Sequence, residues 1–154
     1  MKSPPDPLVV SEDASPLKLV RDAAAVRDDT VDSRAIVLAR LPGEGRVVVD
    51  TSGAQPPSSD AWPVYSAGAP DLVVATGRAT ITTTANLAGP RWAGRLAQSG
   101  LVAERPLPWM TNGWLVRGAG ADVAASLHAL LALRADFEIR SVILETLRPR
   151  QFRG

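Results

Sequence analysis

One histidine and no cysteine set the limits on the chemistry this 154-residue chain can do. Without thiols there are no disulfides, no thiolate nucleophiles and no cysteine metal ligands. His128 is the single side chain whose ordinary pKa suits proton transfer near neutral pH. At 100° per residue it falls about 120° from the centre of an apolar helical stripe, at the boundary of the buried face. Ser126, two residues away, points elsewhere, so no relay forms at helical spacing and His128 reads as a surface residue.

Two short stretches place other functional groups at turns. Asp50-Thr51-Ser52-Gly53 follows the apolar run Val47-Val48-Val49 and ends it on a carboxylate. Paired-carboxylate enzymes hold each half of a proton-sharing dyad in such a turn. Here a serine intrudes before the glycine and there is no second copy of the stretch, so a dyad would need two chains. An aspartate that ends a strand and opens a turn is the simpler reading. Gly118-Ala119-Gly120-Ala121-Asp122 lies between a strand pattern and a helix pattern, where glycine loops cradle phosphates. The third glycine of the dinucleotide pattern is replaced by Val123, and Asp122 puts a carboxylate where a phosphate would sit. A tight turn followed by a helix cap accounts for these residues. Neither stretch calls for a cofactor or a metal.

Contact chemistry is better represented. Arg105-Pro106-Leu107-Pro108-Trp109-Met110 combines arginine, tryptophan and methionine, the types enriched at protein interfaces, with prolines that restrict the loop before it docks. Trp62 sits in a second proline-containing segment. These residues, Arg105, Leu107, Trp109, Met110 and Trp62, are the candidate partner-binding set. Trp92 and Trp114 lie in apolar patterns and read as core. The chain ends on Arg148, Arg150, Phe152 and Arg153, which offer phosphate pairing and one stacking ring as an alternative nucleic-acid contact.

The elements that must carry these groups follow from periodicity. Residues 1–7 hold three prolines and read as a flexible N-terminal tail, followed by a short strand at Leu8-Val9-Val10. Ser15-Pro16 resembles a helix start and predicts a helix to about Asp28, although its apolar face is not clean. Ala35–Leu41 and Arg46–Asp50, separated by Pro42-Gly43-Glu44-Gly45, predict a hairpin. Trp62–Ser66 reads as a short edge segment because Pro63 cannot donate. Leu72–Thr76 and Arg78–Thr84 form a second β region divided at Gly77. A helix is expected from Gly89-Pro90 to near Gly100, with Trp92 and Leu96 on one face, then a loop over 104–112. Gly113–Arg117, a helix capped by Asp122 and running to about Arg134, and Glu138–Leu147 form a strand–helix–strand unit. Its two strands should run parallel, adjacent or nearly so.

The expected fold is therefore α+β. It is one domain over residues 8–147, with a mixed, largely antiparallel sheet, three helices on one face and a basic C-terminal tail at 148–154. Its core should draw on Ile36, Leu38, Val47, Val49, Val73, Trp92, Leu96, Leu115, Leu127, Leu130, Leu131, Ile143 and Leu147. The charge is +1, with 45% hydrophobic and 21% charged residues, a globular balance. No apolar run approaches the roughly 20 residues of a membrane span, and no leader pattern opens the chain, so a soluble cytoplasmic protein is expected. Residues 1–60 carry 10 acidic and 7 basic side chains, a balance of −3, and residues 61–154 carry 6 and 10, a balance of +4. The scarcity of catalytic residue types and the loop tryptophans favour a non-catalytic structural or interaction subunit that forms a homo-oligomer or joins a larger assembly. A nucleic-acid accessory protein, and a ligand-binding domain or enzyme using Asp50 or the Gly118–Gly120 loop, stand as alternatives.

Overall fold

Alanine-rich segments favour helices only where nothing else decides their conformation. In the computed structural model, which describes residues 3–52, 60–68, 71–85, 87 and 90–151, the segment expected to open with a helix is instead strand β1 (Lys18–Arg27). It pairs antiparallel with β3 (Arg46–Asp50) on one side and β4 (Trp62–Ser66) on the other. Ala23 and Ala25 face a small core cluster with Ala39, Leu41, Val48, Val64 and Val74. The strands surrounding this cluster leave little room beside a methyl group, so volume selects alanine there and tertiary packing overrides helix propensity.

The predicted hairpin forms: β2 (Val37–Leu41) turns into β3 and the two pair antiparallel. β4 is not at an edge, as Pro63 had suggested, but lies between β1 and β5 (Leu72–Thr83). Pro63 stands opposite Ala24, where the β1–β4 register has just shifted, and an irregular ladder tolerates a residue without an N–H. The two β runs around Gly77 form one continuous strand, β5, with a register shift against β8 (Ile139–Leu147) between Ala75 and Ala79. Residues 101–106, of which 104–106 are expected as loop, form β6 (Leu101–Pro106), which pairs with β7 (Gly113–Gly118). β6 is a terminal strand of the sheet, where the proline that hid it from the sequence pattern is tolerated.

Two α-helices, not three, complete the described elements: α1 (Pro90–Gln98) and α2 (Val123–Ala132). All nine described strands pair antiparallel in the order β6-β7-β5-β4-β1-β3-β2-β9, with β8 on β5 and β9 a two-residue strand at Arg150–Gln151. β7 and β8 both run antiparallel to β5 and lie on its opposite edges. They are therefore parallel to each other with one strand between them, which is the arrangement expected of the terminal strand–helix–strand unit. Beyond Arg148-Pro149 the chain continues from β8 into β9, and β9 pairs with β2 at Ala39 and Arg40. The path β5-β4-β1-β3-β2-β9, returning along the chain to β8 and β5, is closed, and the alanine-rich cluster fills this small barrel.

The second and larger cluster lies where α1 and α2 cover the rest of the sheet. It joins Trp92 and Leu96 to Leu127, Leu130, Ile81, Val116, Val142 and Leu144. Of the expected core, Val47, Val49, Val73, Trp92, Leu96, Leu127 and Leu130 are buried. Ile36 (62% exposed), Leu38 and Ile143 (45%) are not, and Leu115, Leu131 and Leu147 are only half-buried. On β8 the inward positions go to Val142 and Leu144, and on β2 to Ala39 and Leu41. With a side-chain period of two, Ile143 and Leu38 must then face outward.

Residues 5–8 are tied to the domain. Pro5 is buried and its carbonyl accepts a 2.7 Å bond from the Tyr65 hydroxyl. Asp6 accepts from Leu19 N and Arg21, and Leu8 is fully buried and bridges to Leu17. Arg134 clamps the following turn by donating to the carbonyls of Val9, Val10 and Val142 at 2.6–2.8 Å.

Candidate functional site

The segment expected to meet a partner divides by burial. Leu107 is buried, its N–H donates to the Gly113 carbonyl, and Met110 N–H donates back to the Leu107 carbonyl, so Leu107 anchors a tight turn and faces the core. Met110 is half-buried and packs over Gly113. Arg105 is exposed on β6, and Trp109 projects from the turn with 70% of its surface exposed. Phe137, which sequence reasoning passed over, is 90% exposed. Thr83 N–H donates to the Asn112 carbonyl and Thr84 N–H to the Glu138 carbonyl. The C-terminal end of β5 thus holds the turn that carries Trp109 on one edge and the turn that carries Phe137 on the other, at the same end of the sheet. The overlooked signal was a lone aromatic between two acids, Asp136-Phe137-Glu138, at a helix-to-strand turn.

The charges around Phe137 are internally balanced. Arg95 donates to Asp136 at 2.6 Å and to Glu138 at 2.9 Å, and Arg91 reaches the same Glu138 oxygen at 3.3 Å. The hydrogen bond from Arg95 to Glu138 raises the arginine pKa further above its ordinary value. Glu138 is itself buried, and its two guanidinium partners keep its charge answered.

Trp62 is remote from this end. It is half-buried in β4, packs on both core clusters and lies beneath the Arg46 guanidinium, 4.1 Å from its ring centroid. Burial lowers the Arg46 pKa, opposed by Asp60. Arg46 and Trp62 form one rim of a cleft of about 300 Å³ at the mouth of the small barrel. The other rim carries Arg78, Arg117, Gly118 and Gly120. This cleft exists because β5 changes neighbours. β4 leaves it at Val74 and β7 joins the same edge at Arg78, and the gap falls on Thr76-Gly77. Gly77 has φ +85°, which favours glycine, and a side chain there would press on Val123 of α2.

The Gly118–Gly120 loop is therefore brought to a cavity, but its first glycine has a packing role. A Cβ at Gly118 would collide with the Ser126 side chain of α2. The start of α2 is capped by Asp122, whose carboxylate accepts from Ala125 N–H at 3.1 Å. Asp50 accepts from both the N–H and the hydroxyl of Ser52, which hold its carboxyl below the ordinary range. The intruding serine thus serves the aspartate as a cap, and Gly53 lies outside the described residues. His128 is half-buried, with Nε2 2.7 Å from the Ser3 carbonyl. Among the described residues no three histidine or carboxylate side chains cluster as metal ligands. Arg148 and Arg150 are exposed along the strand-forming end of the chain, and Phe152 and Arg153 lie outside the described residues. No described helix is long and apolar enough to cross a membrane.

Comparison of the chain with protein-family models, curated proteins and solved structures finds no match.

Proposed function

We propose that this protein is a non-catalytic interaction subunit that associates with copies of itself through the end of the sheet bearing Trp109 and Phe137. The observation that carries the reading is the exposure of two large aromatic side chains on turns fixed to consecutive residues of β5. Isolated exposed apolar residues are ordinary, whereas two large aromatics on rigidly held turns at one end of a sheet have the character of interface anchors. Self-association is favoured over a strongly charged partner because Arg91 and Arg95 are matched by Asp136 and Glu138, so two copies meet without net repulsion there. Association by strand addition is disfavoured at β6, whose register shift, Arg105 and Pro106 are features that blunt an edge.

Light scattering across a concentration series tests this reading. Wild type should show a concentration-dependent rise in mass, and Trp109→Ala and Phe137→Ala should each weaken it by about thirtyfold, the effect of losing roughly 2 kcal/mol at a central aromatic. Because both side chains are exposed, the melting temperature of the monomer should be unchanged. A wild-type protein that stays monomeric at hundreds of micromolar would overturn the proposal.

A further inference from the structure

We infer that the cleft at the split in the sheet is a binding site for a small oxyanion, a phosphate or carboxylate group held by Arg78 and Arg117. The site is separate from the aromatic end. Arg78 is five residues from Thr83 along β5, roughly 17 Å at strand rise. Self-association and anion binding can therefore fail independently.

The argument begins with how the two arginines are held. A single oxygen of Glu104, Oε1, forms ion pairs with both arginines, 3.3 Å from Arg78 Nε and 3.1 Å from Arg117 Nε. One carboxylate lies against the inner nitrogens of both side chains and leaves the outer ones for other partners. Of these, Arg117 Nη1 donates to the Gly118 carbonyl at 2.9 Å. The remaining Nη groups make no further hydrogen bond among the described residues. A pair of guanidinium groups held together by one carboxylate on the Nε side, with Nη groups left over, suits bidentate contact with a planar or tetrahedral oxyanion.

The charge balance points the same way. Around the cleft stand Arg27, Arg46, Arg78 and Arg117 against Glu44, Asp60, Glu104 and Glu145, the last bonded to the cleft-lining Thr76 at 2.8 Å. Asp60 is engaged by Arg27 at 3.8 Å and contributes to the field at Arg46, and Glu44 acts on Arg46 as well. The acidic groups on the Trp62 rim are therefore attended by Arg27 and Arg46, while Arg78 and Arg117 share one carboxylate. The two arginines that have only one carboxylate between them lie on the Gly118 rim, beside the mouth of the barrel. Gly120, also on the cleft, has open space where a Cβ would be, and its φ lies outside the left-handed region. Neither packing nor backbone strain demands glycine there, and its absence of side chain keeps the approach to Arg117 clear.

Titration of the full-length protein with inorganic phosphate, and separately with acetate, followed by amide chemical shifts at low ionic strength, tests the site. Saturable shifts at Gly77, Arg78, Arg117 and Gly120 are expected at millimolar phosphate. Arg78→Gln and Arg117→Gln should each weaken binding at least tenfold, while Arg91→Gln, in an ion pair elsewhere, should not. Glu104→Gln separates binding from a structural role: removing the competing carboxylate should tighten phosphate binding severalfold even if the protein melts earlier. A preference for phosphate or for acetate names the group recognised, and equal response to both assigns recognition to the oxyanion alone. Absence of saturable shifts at tens of millimolar of either anion, binding unchanged in both arginine variants, or weaker binding in Glu104→Gln would overturn the inference.

Discussion

At the scale of single residues, two capping groups do work that the sequence suggests for catalysis or leaves unassigned. Asp50 is held ionised by Ser52, the opposite of the raised pKa a carboxylic acid needs to donate a proton near neutrality. Replacing Ser52→Ala removes the hydroxyl donor and should move the Asp50 pKa upward toward the ordinary carboxylate value, as a carbon-detected NMR titration would report. The sign for stability follows from linkage. A folded-state pKa below the unfolded one stabilises the fold above the unfolded value, and that contribution is lost as pH falls through the folded one. Ser52→Ala should therefore make the acid limb of the stability curve shallower, and an unchanged Asp50 titration would refute the cap. Arg134 is the second case. Its charge is half-buried, burial lowers its pKa, and three carbonyls answer its two Nη groups while its Nε is buried without a partner among the described residues. Arg134→Met strands the Val9 and Val142 carbonyls, and each buried orphan costs about 1–3 kcal/mol. Denaturant unfolding should show a loss of roughly 2–5 kcal/mol, and amide exchange at Leu8 should rise before exchange in the strands. Wild-type protection at Leu8 would show that the clamp is dispensable.

At the scale of elements, the contact of α2 with the ends of β5 and β7 positions the cleft. The helix sits where Gly77 and Gly118 allow its first turns to approach the sheet, with Ser126 buried against Gly118 and bonded to the Asp122 carbonyl at 3.0 Å. Gly118→Ala should force these elements apart and destabilise the fold by about 1–3 kcal/mol, the usual cost of overpacking. Adding Ser126→Gly removes the colliding atoms, so the double variant should recover part of that loss despite the helix propensity glycine forfeits. Additive destabilisation in thermal melts would show that the two residues do not meet as described. The same contact explains why a glycine pair at a strand-to-helix turn is ambiguous in sequence: close packing and an open ligand approach both select the missing side chain.

For the whole molecule, the closed strand path makes the C-terminal segment a structural element as well as a basic one. β9 lies opposite Ala39 and Arg40 of β2 and completes the circuit begun at β5. Deleting residues 148–154 should expose the β2 edge, where Ile36 and Leu38 already face solvent, and lower the melting temperature by several degrees. Aggregation should rise with it, visible as scattering at temperatures below the melt. If nucleic acid were the partner of this segment, the deletion would also flatten the salt dependence of binding by about two to three ions. A truncated chain that melts like wild type and stays dispersed would show that the two-residue pairing closes nothing of consequence.

Local chemistry was legible where it is self-contained. The hairpin at β2–β3 follows from its turn residues, α2 from the Asp122 cap and its apolar stripe, and β7–α2–β8 from the alternation of periods. The exclusion of thiol chemistry needs only the residue count. Tertiary structure alone decided the rest, because the deciding neighbours are distant in sequence. Ala23 and Ala25 are strand residues because Val48, Ala39 and Val64 crowd them, and Ile143 faces water because Val142 and Leu144 take the inward phase. Trp109 and Phe137 come to the same end of the sheet through Thr83 and Thr84, and Arg78 meets Arg117 only because β5 pairs with β7 in that register, with Glu104 of β6 ion-paired to both. Spacing along the chain reports the period of an element and the chemistry of its caps. It does not report which elements share an edge, and in an antiparallel sheet those edges assemble the surface.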